Sequence, residues 1–326
     1  MQNNDVLIIA SGGGHTGFAR AIAEYLSLSS NAYKVDFVIP ENDKYSEEVL
    51  KPFSSQFYYV KKAKEPDQGN IALITNLPHV LAQSLKIKKY KVVIATGSNH
   101  SLFPALAQRV KGSKLFVIES QDRIVTRGKT VSILSNFAEN VFLHWQEQKG
   151  LYPKKGMVVG PIVEKPKYTP KDDGYVLVTT GTMGFKRLFD IVVSLDLGKE
   201  VVIQTGRVPP EQYAKRGFRA FSFSTELEKY ISEASLVITH QGKTAMESVV
   251  MYKKPTIVVY NKDWRYAATK EDSKRYAEIL GATFLDDPSQ WDSVEELAEA
   301  IKKVKPPKKY EIGTPNLVKR ILEELS

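Results

Sequence analysis

The chain of 326 residues contains no cysteine. That excludes a disulfide framework, a thiolate metal site and a cysteine nucleophile, and it fits a reducing compartment or a hot habitat. No run of about 18 apolar residues occurs, so no membrane-spanning helix is expected. The opening "MQNNDVLIIASGGG" is too short and too uncharged for a signal peptide. No aromatic–basic platform of the kind that stacks nucleobases is present, so no nucleic-acid partner is expected. Acidic charge is also short. The net charge is +9, with residues 1–160 at +7 and residues 161–326 at +2. A basic first half suits an anionic partner such as a lipid headgroup or a diphosphate, and suits equally a plain solvated basic surface.

What is present alternates. Short apolar, β-branched runs are each followed by a longer amphipathic stretch, the pattern of a parallel sheet covered by helices. Strands are expected at Asp5–Ala10, Lys34–Ile39, Phe57–Val60, Lys91–Ala95, Lys114–Ile118 and Asn140–Leu143. After "PIVEKPKYTPKDDG" the pattern restarts, with strands at Tyr175–Thr179, Glu200–Gln204, Ala220–Phe223, Leu236–Thr239 and Thr256–Tyr260. The expected organisation is an N-terminal α/β domain over 1–160, a linker over 161–174 and a second α/β domain over 175–305. A C-terminal segment, 306–326, is expected to pack back on the first domain. Ligands bind such sheets at the carboxyl ends of the strands, and the two sets of ends are expected to face across a cleft.

Four strand–glycine–helix turns carry the candidate chemistry. The first, "SGGGHTGFA" at 11–19, matches G-x-G-x-x-G by letters. A dinucleotide site also needs an acid at the end of the second strand about 20 residues on. Asp36 lies inside its strand and Glu41 is too far along, so that reading is weak. His15 sits where a helix N-terminus depresses an imidazole pKa and keeps it neutral, as a general base requires. The residues alone leave it open whether His15 is a base or only a helix cap. "ATGSNHSLFPAL" at 95–106 is a second such turn, and "VIESQDRIVTRGKT" at 117–130 sets Glu119 just past a strand in a basic loop. "VTTGTMGFKRLFD" at 178–190 offers Thr180, Gly181 and Thr182 to a diphosphate. "THQGKTAMES" at 239–248 places His240, Gly242, Lys243 and Thr244 at a turn, with Glu247 one helical turn further on, where a carboxylate accepts ribose hydroxyls.

In this order, these stretches resemble the GT-B glycosyltransferases that add GlcNAc from UDP-GlcNAc to a lipid-diphosphate sugar. "SGGGHTG", "GSNHS", "VIESQDRIVTRGK" and "FAENVFLHWQEQ" resemble the membrane subunit of the eukaryotic two-subunit enzyme that attaches the second GlcNAc to dolichyl diphosphate. "VTTGTMGFKRLFD", "IQTG", "ISEASLVITHQGKTAMESVV" and "KKPTIVVYN" resemble its UDP-binding subunit. The chain thus looks like a single-chain, archaeal-type fusion of the two, and the bacterial peptidoglycan enzyme MurG shares the layout. The resemblance implies an α/β GT-B fold of two Rossmann-like domains and an inverting transfer. No D-x-D metal motif is present, and no cofactor or metal is implied beyond the donor.

By that resemblance His15 is the base, with Glu119 as runner-up. Gly13, Gly14, Thr16, Ser98, Asn99 and Arg123 contact the acceptor side. Thr180, Gly181, Thr182, His240, Gly242, Lys243, Thr244 and Glu247 hold the UDP-sugar, and Phe223 lies where uracil is seated. Two positions depart from the family's pattern. Lys243 stands where small residues are usual, and Asp272-Ser273 stand where a His-Gln pair contacts the donor sugar.

The implied partners are UDP-GlcNAc, a polyprenyl-diphosphate sugar and an anionic membrane surface, which places the chain peripherally at the cytoplasmic face of the membrane. Residues 70–91 are the expected docking helix. Ile71, Ile74, Leu77, Leu81 and Leu85 form a stripe widened by Leu73 and Val80, with Lys86, Lys88, Lys89 and Lys91 at its end. Pro78 is expected to kink or split it. Two rival readings are a UDP-GlcNAc 2-epimerase of the same shape and a non-catalytic UDP-sugar-binding scaffold.

Overall fold

The computed structural model of the protein describes residues 5–29, 33, 35–63 and 70–326, with side chains of 70–74 excepted. Lys34 and the side chains of Ile71, Leu73 and Ile74 therefore lie outside the described residues. The chain divides into two compact units. Unit 1 comprises Met1–Ser120, Arg127–Lys165 and Ile312–Ser326; unit 2 comprises Gln121–Thr126 and Pro166–Glu311.

Unit 1 runs β1 (Val6–Ile9), α1 (Gly13–Ser29), β2 (Val35–Pro40), α2 (Lys44–Leu50), β3 (Gln56–Val60), α3 (Asn70–Lys86), β4 (Val92–Ala95), α4 (Leu102–Val110), β5 (Lys114–Ile118), α5 (Lys129–Leu134), β6 (Asn140–Leu143) and β7 (Gly156–Val158). Its seven strands are ordered β3-β2-β1-β4-β5-β6-β7, with every described pairing parallel. Runs such as Val6–Ile9 and Val92–Ala95 show no polar alternation because both faces of the sheet are covered. Period-two geometry sends Leu7, Ile9, Val93, Ala95, Leu115 and Val117 to one face. There they meet Val80 of α3, Ala105 of α4 and Leu134 of α5.

Unit 2 repeats the plan with β8 (Val176–Thr179), α6 (Lys186–Val192), β9 (Val201–Gln204), α7 (Glu211–Ala214), β10 (Arg219–Phe221), α8 (Leu227–Glu233), β11 (Leu236–His240), α9 (Lys243–Val250), β12 (Thr256–Val259), α10 (Lys270–Leu280), β13 (Thr283–Leu285) and α11 (Glu295–Lys302). Its six strands are ordered β10-β9-β8-β11-β12-β13, again parallel. Phe189 of α6 and Tyr213 of α7 meet edge to face at 5.8 Å within its core.

The last helix, α12 (Thr314–Leu325), belongs to unit 1. The backbone N–H of Gly313 donates to the Pro161 carbonyl at 2.7 Å, and the Thr314 hydroxyl donates to the Val163 carbonyl at 2.6 Å. Gly313 lies against Gly160 so closely that a Cβ there would fall 2.2 Å from a backbone carbon. Within the proline-rich stretch that follows β7, Ile162 and Val163 are fully buried in this same unit.

Both sheets reverse their winding once, between β1 and β4 in unit 1 and between β8 and β11 in unit 2. Crevices at such switch points are where open α/β sheets bind ligands. The loops leaving these four strands are the four glycine turns that the sequence marks.

Candidate functional site

In unit 1 the first turn is set by Gly12 and Gly13, whose φ values of 43° and 53° are left-handed. Helix α1 starts at Gly13, so Gly13, Gly14 and His15 all fall in its first turn. The turn is braced from 31 residues away. The Gly12 N–H donates to Asp43 Oδ2 at 3.0 Å and lies 3.1 Å from Ser46 Oγ, and the Thr16 and Ser46 hydroxyls meet at 2.5 Å. Asp43 is also the N-cap of α2, accepting from the Ser46 N–H. An anionic side chain thus already sits on the turn that matches a phosphate loop by letters, which disfavours a second anion there.

His15 is half-buried, and its Nδ1 lies 2.7 Å from the carbonyl of Thr96, the residue after β4. A carbonyl only accepts, so Nδ1 carries the proton and Nε2 keeps its lone pair. Burial lowers the imidazole pKa below its ordinary 6.5, with the Thr96 bond pulling the other way. The group is therefore a neutral base of fixed tautomer near pH 7.

The second turn brings Ser98 and Asn99 to the neighbouring strand end. Gly97 is obligatory there: its φ is 93°, and a Cβ would stand 2.5 Å from the Ile118 carbonyl oxygen. Ser98 is buried with its hydroxyl 3.1 Å from that of Ser101, while Asn99 is exposed and accepts from the Thr130 hydroxyl at 3.0 Å.

Glu119 occupies a different setting from His15. It is 1% exposed. Its carboxylate accepts from the Ser120 N–H at 2.8 Å, the Gly128 N–H at 2.9 Å and the Tyr152 hydroxyl at 2.5 Å. These donors hold the ends of the loop together and stabilise the anion. Of the two expected bases, His15 is the one whose accepting atom is left by its described hydrogen bonds.

In unit 2 the third and fourth turns converge on one imidazole. Positions for a Cβ on Gly181 and on Gly242 lie 3.5 and 3.4 Å from His240 Cε1, so the ring is bounded by both. Gly181 has φ 70°, and Gly206 packs on its carbonyl, where a Cβ would come within 2.5 Å. Gly242 is the N-cap of α9 and its carbonyl accepts from the Tyr276 hydroxyl of α10 at 3.0 Å. Gln241 locks the turn to Asn261 by two 2.9 Å bonds. Burial takes the His240 pKa down to about 4.

Among the described residues, three buried polar atoms at this corner have no hydrogen-bond partner: Thr180 Oγ1, Thr239 Oγ1 and His240 Nδ1. Each such group costs about 1–3 kcal/mol when left unmet, and three at the ends of neighbouring strands point to a ligand rich in acceptors. Thr182 and Thr244 are half-buried on the same two turns. Lys243, the first residue of α9, is buried and pairs with Glu247 one helical turn along. Phe223 is 53% exposed just past β10.

Sequence reasoning missed what Asp272 does. The residue is fully buried on α10. Its Oδ1 accepts from the backbone N–H groups of Ile124, Val125 and Thr126 at 2.8–3.0 Å, and its Oδ2 from the Thr126 and Thr269 hydroxyls at 2.5 and 2.7 Å. Burial alone would raise its pKa; these bonds outweigh burial and leave it below the ordinary carboxylate value. The clamp fixes residues 121–126 in unit 2. Arg123 is held in it, donating to the Thr126 hydroxyl at 2.6 Å and to the Tyr266 carbonyl at 2.5 Å. The only advance signal was the Thr269-x-x-Asp272 capping spacing, which the structure uses.

On α3, Val80 and Ser84 turn inward with Ile87 beyond the helix end, whereas Leu81 and Leu85 are 39% and 56% exposed and Lys86 and Lys89 are exposed. Val80 thus packs in the core instead of widening the apolar stripe. Pro78 sits on the exposed side of one continuous helix, neither splitting it nor ending it. Among the described residues no helix is long and apolar enough to cross a membrane.

Residues 175–316 match the glycosyltransferase family 28 C-terminal domain. Over 301 residues the chain is 26% identical to the UDP-N-acetylglucosamine–N-acetylmuramyl-(pentapeptide) pyrophosphoryl-undecaprenol N-acetylglucosamine transferase of Prochlorococcus marinus, covering 86% of this chain and 82% of the relative. The protein of the same name from Caldicellulosiruptor saccharolyticus is 23% identical, with 90% and 88% covered. Among solved structures, Acinetobacter baumannii MurG superposes with a TM-score of 0.65 at 17% identity over 98% of this chain and 99% of that one. The UDP-GlcNAc 2-epimerase of Neisseria meningitidis gives 0.64 at 14% identity, over 98% and 99%. These likenesses agree with two Rossmann-like α/β units of the GT-B type.

Proposed function

We propose, on the premise that the chain is a glycosyltransferase, that it moves GlcNAc from UDP-GlcNAc to a polyprenyl-diphosphate-linked sugar with inversion. The observation that carries this reading is the cluster of unmet polar atoms and glycine turns around His240, in the segment that matches a glycosyltransferase domain. The curated relatives named above use a UDP-linked GlcNAc and a lipid pyrophosphate, which supports the same donor and the same class of acceptor. The finer assignment we propose is a dolichyl-type lipid carrying GlcNAc, an early step of lipid-linked oligosaccharide assembly for N-glycosylation.

In this reading the donor belongs to unit 2. Thr180, Gly181 and Thr182 with Gly242, Lys243 and Thr244 hold the diphosphate, Glu247 accepts the ribose hydroxyls and Phe223 stacks on uracil. Stabilising charge on the departing diphosphate is the larger electrostatic contribution. His15 Nε2 takes the proton of the acceptor hydroxyl as that oxygen forms its bond to the anomeric carbon and the bond to UDP breaks. Gly13, Gly14, Thr16, Ser98 and Asn99 frame the acceptor. Arg123 contributes through the placement of its loop, with Glu119 as the buried brace of the loop's ends. Leu81 and Leu85 beside Lys86 and Lys89 form a peripheral docking face for anionic lipid at the cytoplasmic side of the membrane.

The test is to incubate the purified protein with UDP-GlcNAc and a synthetic polyprenyl-diphosphate-GlcNAc and weigh the lipid product. The expected result is a gain of one N-acetylhexosamine. Epimerised sugar released without any acceptor would instead select the epimerase reading, which the fold likeness to UDP-GlcNAc 2-epimerases keeps specific. Nucleotide binding with no turnover on any lipid acceptor would select the scaffold.

A further inference from the structure

Lysine is a poor choice for the first position of a buried helix. A cation is disfavoured at the positive end of the helix dipole, lysines are rarely buried without a partner, and Lys followed four residues later by Glu is the weaker order of such a pair. Yet Lys243 opens α9 with its side chain only 5% exposed, its ammonium on Glu247 Oε1. Glu247 is itself 19% exposed. The pair therefore holds two largely desolvated charges at the corner where Thr180 Oγ1, Thr239 Oγ1 and His240 Nδ1 stand without partners among the described residues. Those three atoms are an independent sign of an acceptor-rich ligand, and an anion there would be the partner that α9, its dipole and Lys243 all favour.

We propose that the Lys243–Glu247 ion pair is a diphosphate-operated switch that sets the site's selectivity. In the free protein Lys243 neutralises Glu247. When a nucleoside diphosphate arrives, its phosphate oxygens take the Lys243 ammonium, and the Glu247 carboxylate is released to accept the two ribose hydroxyls. A nucleoside without phosphates cannot draw the lysine away and meets a carboxylate still engaged. The two halves of the ligand thus bind cooperatively through one ion pair. This rests on the reading of the corner as a nucleoside-diphosphate site, and it goes beyond that reading by making the grip on ribose conditional on the diphosphate.

The test is a calorimetric ladder of uridine, UMP and UDP on the full chain and three variants. In the wild type, affinity rises steeply from uridine to UDP. Lys243→Gln flattens the ladder, weakening UDP by roughly ten- to a hundredfold, the range of a charge-assisted hydrogen bond, while uridine is bound as well as before or better. Glu247→Gln weakens UDP and leaves uridine nearly untouched, because the released carboxylate is what UDP gains. Because Lys243→Gln alone takes the lysine from a largely desolvated carboxylate and can compromise folding, the double variant Lys243→Gln/Glu247→Gln removes both charges. It is expected to show the same flat ladder. Equal losses for uridine and UDP in Lys243→Gln, or an unchanged ladder in the double variant, would overturn the switch alone. A wild type that binds neither UDP nor uridine would overturn the site reading with it.

Discussion

The first glycine turn of unit 1 and the fourth, in unit 2, are built alike and charged oppositely. Each leaves a central strand at a sheet's switch point, passes through glycine and opens a helix. At the first, a carboxylate from α2 reaches the Gly12 amide, and the histidine is fixed by a carbonyl with its accepting nitrogen left over. At the fourth, a lysine opens the helix, and two hydroxyls and an imidazole nitrogen nearby are unmet. A glycine pattern fixes the backbone's path; the side chains that close on it from elsewhere decide whether an anion or a proton is handled there. The turn that spells a phosphate loop thus already has its Gly12 amide taken by a carboxylate.

The largest effect that would break this contrast is at His15. His15→Ala is expected to lower turnover by about 10²–10⁴-fold, the usual worth of a general base, with UDP affinity unchanged in a parallel titration. The same assignment fixes a pH limb. A folded pKa held below 6.5 puts the midpoint of the acid limb of kcat/KM below that value, and an acid limb with its midpoint between pH 7 and 8 would exclude His15.

Next is the clamp. Asp272→Ala takes the acceptor from the buried N–H of Ile124 and the partly buried N–H groups of Val125 and Thr126 and is expected to cost about 3–5 kcal/mol in chemical denaturation. The amides of 124–126 should lose hydrogen-exchange protection. Because the folded pKa of Asp272 is depressed, its contribution is present above the ordinary carboxylate range and is lost as the pH falls through the lower folded value.

A smaller change is expected at Asp43. Asp43→Ala removes the cap of α2 and the brace on Gly12, costing about 1 kcal/mol and reducing turnover without changing UDP affinity. The smallest effect on the isolated protein is on α3. Leu81→Glu/Leu85→Glu should leave stability within about 0.5 kcal/mol, as exposed sites do, while abolishing sedimentation with anionic vesicles at low salt.

Much of this was legible along the chain because parallel sheets write themselves as local runs. Lys114–Ile118 and Asn140–Leu143 match the observed strands residue for residue, and the four glycine turns follow four such runs. The three-residue strands Gly156–Val158 and Thr283–Leu285 at the sheet edges are too short to show a period. α1 starts among glycines, which are poor helix formers but supply the left-handed φ that launches it. The long-range contacts were not legible at all. Nothing near Gly12 announces Asp43, and nothing near Ile124 announces Asp272, almost 150 residues away. The exposure of Leu81 and Leu85 depends on α3 using Val80 and Ser84 to face the sheet, a rotation of the helix that a broad apolar stripe does not specify.

Hydrogen exchange of the wild-type protein with and without UDP tests the contrast most directly. The account predicts new protection over residues 179–184 and 239–247 and none over 11–19. Protection over 11–19 with 239–247 unchanged would contradict it.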